Sequence, residues 1–258
     1  MAIVTFMSDY GWQDHYVAAV KAAIITTAPQ TAIIDISHDI NPFDISHGAY
    51  VLSNVFRNFP TKTAHLVSID PGSKETPRYI ALEMEDHFFV GHDSGLFSLI
   101  TDRLPAKLIE LDVGKGSSFP CKDYLAPVAA RLSQGASIED FGQPLGEMER
   151  RIARQLKATK KEIVGHVIRV DHYGNLVTNI TQQDFEAIVK LNGSSEYSIH
   201  VGREVFHAVH LDYGDVESGN CYLLFNSSRL LQIGINKGNA SELFGLKLDT
   251  PIVIEFNN

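Results

Sequence analysis

Two short apolar runs, residues 64–69 and 87–90, lead into aspartates flanked by glycine or proline: Ser68-Ile69-Asp70-Pro71-Gly72 and Gly91-His92-Asp93-Ser94-Gly95. A run of strand length stopped in this way delivers a carboxylate to the carboxyl edge of a sheet, where α/β proteins hold their ligands. The same design recurs at Met7-Ser8-Asp9-Tyr10-Gly11 and at Ile34-Asp35-Ile36-Ser37-His38. Several strand-terminal acids on one edge predict a polar site for a small ligand.

Around these runs the first half of the chain alternates strands and helices. Residues 3–7, 32–36, 64–69 and 108–113 read as strands, and residues 79–84 and 87–90 as a hairpin across Glu85-Asp86. Helical spacing follows Asp14 (Val17, Val20, Ala23, Ile24), links Ile45 to Phe56, and recurs at 96–100 and 125–132. Such alternation predicts a mostly parallel sheet covered on both faces. Residues 147–162 are dense in charge (Arg150, Arg151, Arg154, Lys157, Lys160, Lys161) and read as a solvated connector. Beyond it come short strands at 163–170, 176–180, 197–201, 221–225, 230–235 and 252–256, with one helix at 182–190. The expected organisation is an α/β domain over residues 1–146, the connector, and a small β-barrel domain over 163–258.

Composition narrows the chemistry. A formal charge of −9 over 258 residues argues against nucleic acid as partner and suits a cationic or zwitterionic small molecule. Two cysteines, Cys121 and Cys221, make no disulfide framework and favour a reducing compartment. Strand-like residues directly after Met1 and the lack of a long apolar run predict no leader, no membrane span and a cytoplasmic location. No G-x-G-x-x-G follows the first strand and no G-x-S-x-G occurs, which disfavours a dinucleotide fold and a nucleophile-elbow hydrolase. His207 and His210 fall on opposite faces of a strand pattern, so no metal is assigned to them.

Taken in order, the motifs resemble the S-adenosylmethionine (SAM) hydroxide adenosyltransferases, or SAM hydrolases, whose cousins are the fluorinase and chlorinase. Ser8-Asp9-Tyr10-Gly11 is similar to that family's opening T-D-F-G, and Ile34-Asp35-Ile36-Ser37-His38 to its V-D-I-T-H. Residues 69–78 and His92-Asp93-Ser94-Gly95-Leu96 are similar to V-D-P-G-V-G-T-x-R-R and P-D-N-G-L. Later, residues 171–180 resemble D-x-F-G-N-x-x-T-N-I, and residues 226–236 resemble N-S-x-G-x-L-x-I-x-x-N. The resemblance implies an α/β domain plus a β-barrel domain, a homotrimer, and SAM held between the α/β domain of one subunit and the barrel of the next. It implies no cofactor beyond SAM as substrate or ligand. By position, Asp9 would hold the ribose hydroxyls with Phe43 near the sugar. Asn175 and the backbone near Lys237 would meet the adenine, Asp171, Ser227 and Ser228 the methionine end, and Asn236 would be a further substrate-binding residue. The implied reaction is displacement at the ribose C5′ by water, giving adenosine and L-methionine.

The chain departs from the family at the water-handling triad. Its aspartate is Asp70, but Pro77 stands at the arginine position and Pro120 at the histidine, in Ser118-Phe119-Pro120-Cys121-Lys122-Asp123. Proline brings neither a titratable group nor an N–H donor. Three readings stand side by side: hydrolysis with Asp70, Arg78 and His92 as catalytic residues; binding of SAM or an adenosine-like ligand without turnover, as a sensor or buffer; or a different nucleophile, with Cys121 or Lys122 in the altered loop. A metal-dependent phosphoester hydrolase built on Asp9, Asp35, His38, Asp70 and Asp93 is the alternative from another class.

Overall fold

A computed structural model describes residues 1–69, 77–114, 116–193 and 196–256. The chain divides into two compact units, Met1–Ile152 and Ala153–Asn258.

The first unit is built on a seven-stranded sheet. Its strands are β1 (Ile3–Ser8), β2 (Ala32–Ser37), β3 (Ala64–Ser68), β4 (Tyr79–Met84), β5 (His87–His92), β6 (Lys107–Leu111) and β7 (Gly142–Pro144), in the order β2-β1-β3-β5-β4-β6-β7. The strands β2, β1, β3 and β5 run parallel, whereas β4, β6 and β7 are antiparallel additions. All six residues of β1 and all five of β3 are buried, as expected of central strands covered on both faces. Helices α1 (Tyr16–Thr27) and α4 (Ala126–Ser133) bury Val17, Val20, Ile24, Ala129 and Leu132 against one face, with Phe6 and Leu66. Helices α2 (Ile45–Ser53) and α3 (Leu96–Leu99) bury Ile45, Leu52, Leu96 and Phe97 against the other, with Met7, Val67 and Phe89.

Local chemistry sets the boundaries. Asp44 caps α2 by accepting the His47 N–H at 2.9 Å. Helix α1 has His15 at its N-cap, with no side-chain bond, and Asp14 does not cap it. The β4–β5 hairpin forms across Glu85-Asp86 with both residues at positive φ (51° and 61°), the twist a two-residue turn requires. Arg57 secures that strained turn through two hydrogen bonds to Glu85, at 2.8 and 2.7 Å.

The second unit is an antiparallel half-barrel. Its strands are β8 (Lys157–Ala158), β9 (Glu162–Val170), β10 (Leu176–Thr181), β11 (Tyr197–Val201), β12 (Glu204–Phe206), β13 (Cys221–Phe225), β14 (Leu230–Ile235) and β15 (Pro251–Phe256). They follow the order β12-β11-β15-β9-β10-β14-β13, with β8 on β9. Helices α5 (Gln182–Asn192) and α6 (Ala240–Phe244) pack Phe185 and Ala240 into the core that Leu176, Leu223, Ile233 and Ile254 share. The stretch 147–162 is mostly exposed and is tied to the sheets near both ends. The backbone N–H of Glu149 donates to Asp93 and Arg151 Nε donates to the Ser94 carbonyl, while Lys157–Ala158 joins the sheet. No helix among the described residues is long and apolar enough to cross a membrane.

One polar feature of the first core has a measurable consequence. His65, fully buried in β3, shares hydrogen bonds with Thr5 (2.7 Å) and His87 (3.1 Å) between Phe56 and Phe89. Burial, reinforced by His87, pushes the His65 imidazole down to about 3 from 6.5, so the folded protein holds it neutral. The unfolded chain takes up that proton near pH 6.5. Stability is therefore fully present above 6.5 and falls as pH drops toward 3, at up to roughly 1.4 kcal/mol per pH unit for this one group. Urea unfolding at pH 7 and pH 5 should show the loss, while equal stability at both would contradict a neutral His65.

Candidate functional site

The sheet order puts the ends of β1, β2, β3 and β5 on one edge, together with the start of antiparallel β4. Asp9 is the first residue to leave β1. Its N–H points to the Ser68 carbonyl at 3.4 Å, and its Oδ2 accepts the Phe43 N–H at 3.1 Å. That contact joins the loop before α2 to the β1 exit and holds Phe43 in the left-handed region (φ 66°), costly for a residue other than glycine. Phe43 itself is 63% exposed. The structure thus brings Asp9 and Phe43 together.

Beside them lies a cluster absent from the sequence reasoning. Tyr10 Oη and Ser68 Oγ are hydrogen-bonded at 2.6 Å, with the Cys121 thiol against both, under the rings of Tyr16 and Phe119. Burial pushes the Tyr10 hydroxyl up and the Cys121 thiol up to about 11. A thiol this deeply buried and protonated is a poor nucleophile at neutral pH. Lys122, the other residue of that alternative, pairs with Asp123 at 3.0 Å.

Asp70, expected to accept the proton from water, lies outside the described residues. Arg78 and His92 lie at the paired ends of β4 and β5. The Arg78 guanidinium is fastened to the buried Asp93 carboxylate, with Nε donating to Oδ2 at 2.6 Å. The Asp93 Oδ1 accepts the Glu149 N–H at 2.8 Å. The His92 ring lies against Tyr79, centroids 4.5 Å apart. Asp35 is engaged as well, by Lys21 at 2.6 Å and by His38 at 3.1 Å. Burial alone would raise its carboxyl; hydrogen bonds from Lys21 and His38 outweigh that and hold it below the usual range. Of the acids in the phosphoester alternative, Asp35 and Asp93 are paired with cations, Asp9 accepts a backbone N–H and Asp70 lies outside the described residues; among the described residues no group of three or more His, Cys, Asp or Glu has metal-holding geometry.

In the second unit, the turn from β9 to β10 is built by Asp171. Its Oδ1 accepts from the N–H groups of Tyr173 and Asn175, and its Oδ2 from the Asn175 side-chain amide, all at 2.9 Å. From the opposite side the Tyr222 hydroxyl donates to Asn175 Oδ1 at 3.1 Å. The orientation of the Asn175 amide is thereby set, with oxygen toward Tyr222 and nitrogen toward Asp171. Residues Asn236 and Lys237 follow β14 near this turn: Asn236 Nδ2 donates to the Val216 carbonyl at 2.8 Å, and exposed Lys237 adopts φ 60°. Ser227 and Ser228 occupy the β13–β14 turn, where Asn226 Oδ1 accepts the Ser228 N–H at 3.0 Å. That turn is at the other end of the six-residue β14 (about 20 Å at ~3.3 Å per residue). Asp171, Asn175, Asn236 and Lys237 are therefore gathered at one end, and Ser227 and Ser228 are not among them.

Residues 4–142 match the SAM hydroxide adenosyltransferase N-terminal domain and residues 165–253 the C-terminal domain. The chain belongs to the SAM hydroxide adenosyltransferase family. An (R)-S-adenosyl-L-methionine hydrolase of Salinispora tropica is 31% identical over 94% of each chain, and one of Thermus thermophilus is 30% identical over 98% of this chain and 99% of that one. A fluorinase of Nocardia brasiliensis is 25% identical over 72% of this chain and 73% of its own. A Thermotoga maritima protein of solved structure superposes with a TM-score of 0.87 at 31% identity, covering 98% of this chain and all of that one.

Within this adenosyltransferase fold, Tyr222 is a neighbour of the candidate residue Asn175 that sequence reasoning missed. It reaches Asn175 only because β13 and β10 flank β14, and Gly234 of β14 leaves the room: a Cβ there would collide with Tyr222 Oη and Asn175 Oδ1. Gly234→Ala should cost about 1–3 kcal/mol of stability by overpacking, and Tyr222→Phe about 0.5–1.5 kcal/mol for the lost hydrogen bond. Chemical denaturation of both variants checks this; a neutral Gly234→Ala would refute the packing at Asn175.

Proposed function

We propose that the protein binds SAM and hydrolyses it to adenosine and L-methionine. The observation that carries this reading is the pre-set Asp9, held by the Phe43 N–H at the exit of β1 in a chain matched to both domains of the family. Its relatives named above include (R)-S-adenosyl-L-methionine hydrolases. A carboxylate suits a vicinal diol, since it accepts two hydrogen bonds and gives none. The acidic balance of the chain suits a ligand carrying a sulfonium and an ammonium.

In the proposed reaction a water oxygen forms a bond to C5′ as the C5′–sulfur bond breaks. The electron pair of that bond leaves with sulfur, giving neutral methionine thioether, so no general acid is required. The proton released by the water passes to the Asp70 carboxylate. Acceleration comes from alignment of the water in line with the leaving sulfur and from removal of solvent around the sulfonium. The protein acts as a homotrimer, each subunit lending its second unit to the ligand that a neighbour holds at Asp9.

The pairing of Arg78 with Asp93 favours one second reading, binding without turnover, because the arginine is already committed to an internal carboxylate. Incubation with SAM, followed by chromatography of adenosine and methionine alongside titration calorimetry, separates the two. The expected result is equimolar products, near-complete loss of turnover in Asp70→Asn, and at least a tenfold weaker SAM affinity in Asp9→Ala, the loss of a charged hydrogen bond. Binding with no product would establish the second reading, and neither binding nor product would refute both.

A further inference from the structure

His38 holds a position the reaction above does not use. It is fully buried just past β2, yet both ring nitrogens are engaged: Nε2 with Asp35 Oδ1 at 3.1 Å and Nδ1 with Ser8 Oγ at 2.7 Å. Asp35 in turn accepts from Lys21 Nζ at 2.6 Å, and Ser8 Oγ lies 3.4 Å from the Tyr10 N–H. The donors run in one consistent direction when His38 is neutral with its proton on Nε2. Tyr10 N–H then donates to Ser8, Ser8 to His38, and His38 to Asp35, which Lys21 neutralises. The backbone of the same histidine adds a second tie, its carbonyl accepting the Gly11 N–H at 2.8 Å. Gly11 sits at φ 68°, where the chain reverses.

From this geometry we propose that His38 is the positioning residue for Asp9, and that the Lys21–Asp35–His38–Ser8 chain fixes the β1 exit loop for capture of a ribose diol. The inference rests on the SAM reading. Asp9 has a tie to residue 38 on either side, one through Ser8 to Tyr10 that depends on the ring and one through the backbone carbonyl to Gly11 that does not. If the ring is removed, Ser8 loses its acceptor and the β1 exit loses that side-chain tie, while the carbonyl of residue 38 still holds Gly11 and Phe43 still holds Asp9 from the far side. Diol recognition should suffer before folding does.

Trp12, the single tryptophan of the chain, lies edge-on to His38 with centroids 4.7 Å apart, and Lys21 sits over its ring at 5.5 Å. An imidazolium quenches indole fluorescence where a neutral imidazole does not. The charged groups facing His38 are Asp35, Lys21 and Asp39; burial lowers the imidazole, with Asp35 opposing. Trp12 emission should therefore stay level through neutrality and fall at a pH below 6.5. Ser8→Ala removes the donor that favours the neutral ring and should move this midpoint upward. His38→Phe should abolish the transition.

The deciding experiment measures adenosine and 2′-deoxyadenosine affinity in the native protein, His38→Phe and Ser8→Ala, with the Trp12 titration on each. The native protein should prefer adenosine by about tenfold or more, as a hydrogen bond to a charged group implies. The preference should collapse toward parity in His38→Phe and shrink in Ser8→Ala, whose small truncation carries the test if the former fails to fold. Native preference retained in the folded variants would overturn the positioning role while leaving the SAM reading intact. A native protein that binds neither nucleoside nor SAM would refute that reading and this role with it.

Discussion

Strand β1 has a neighbour on each side, β2 and β3, both parallel to it, and every one of its residues is buried. The chain cannot turn toward solvent until Ser8 has made its last pairing with Ser68, so Asp9 emerges where the parallel strands end. Everything proposed for the first unit depends on that exit. Phe43 accepts a strained backbone to donate to Asp9, and His38 ties down the residues that follow it. Where β1 stops is decided by burial; what Asp9 then offers is decided by hydrogen bonds from two distant loops.

The same separation explains what could be read from the amino-acid order. Parallel strands ending in Asp9 and Asp93, the hairpin at Glu85-Asp86 and the antiparallel second unit are written in apolar runs and turn residues, whose periods are local. Strand β12 went unseen because its three residues are exposed or half-exposed, and α6 because five residues are too few for a helical period. The motif around Asp35 and His38 was visible, but its partner Ser8 lies thirty positions away. Tyr222 stands forty-seven positions from Asn175. No pattern in a single chain brings such pairs together; only the pairing of strands does. The Arg78–Asp93 pair belongs with them, since β4 and β5 must align before the guanidinium meets the carboxylate.

Two polar designs coexist in the first unit. Around Asp35 and Asp93, buried or half-buried carboxylates are each matched by a cation, which makes them supports rather than ligands. At Asp9, Oδ2 accepts a backbone N–H, that of Phe43. The Phe43 N–H sets the direction of that carboxylate. It is a feature the chemistry of a cationic nucleoside calls for. Pro77 and Pro120 bring neither a titratable group nor an N–H donor, so in the proposed hydrolysis neither shares the proton-accepting role proposed for Asp70.

The claim that water itself is the nucleophile at C5′ is open to a direct measurement. Turnover of SAM in oxygen-18 water, with mass analysis of the nucleoside product, should place one heavy oxygen on the 5′ hydroxyl of adenosine and none in methionine. Adenosine carrying only ordinary oxygen, or a nucleoside product bearing a group other than hydroxyl at C5′, would contradict the account.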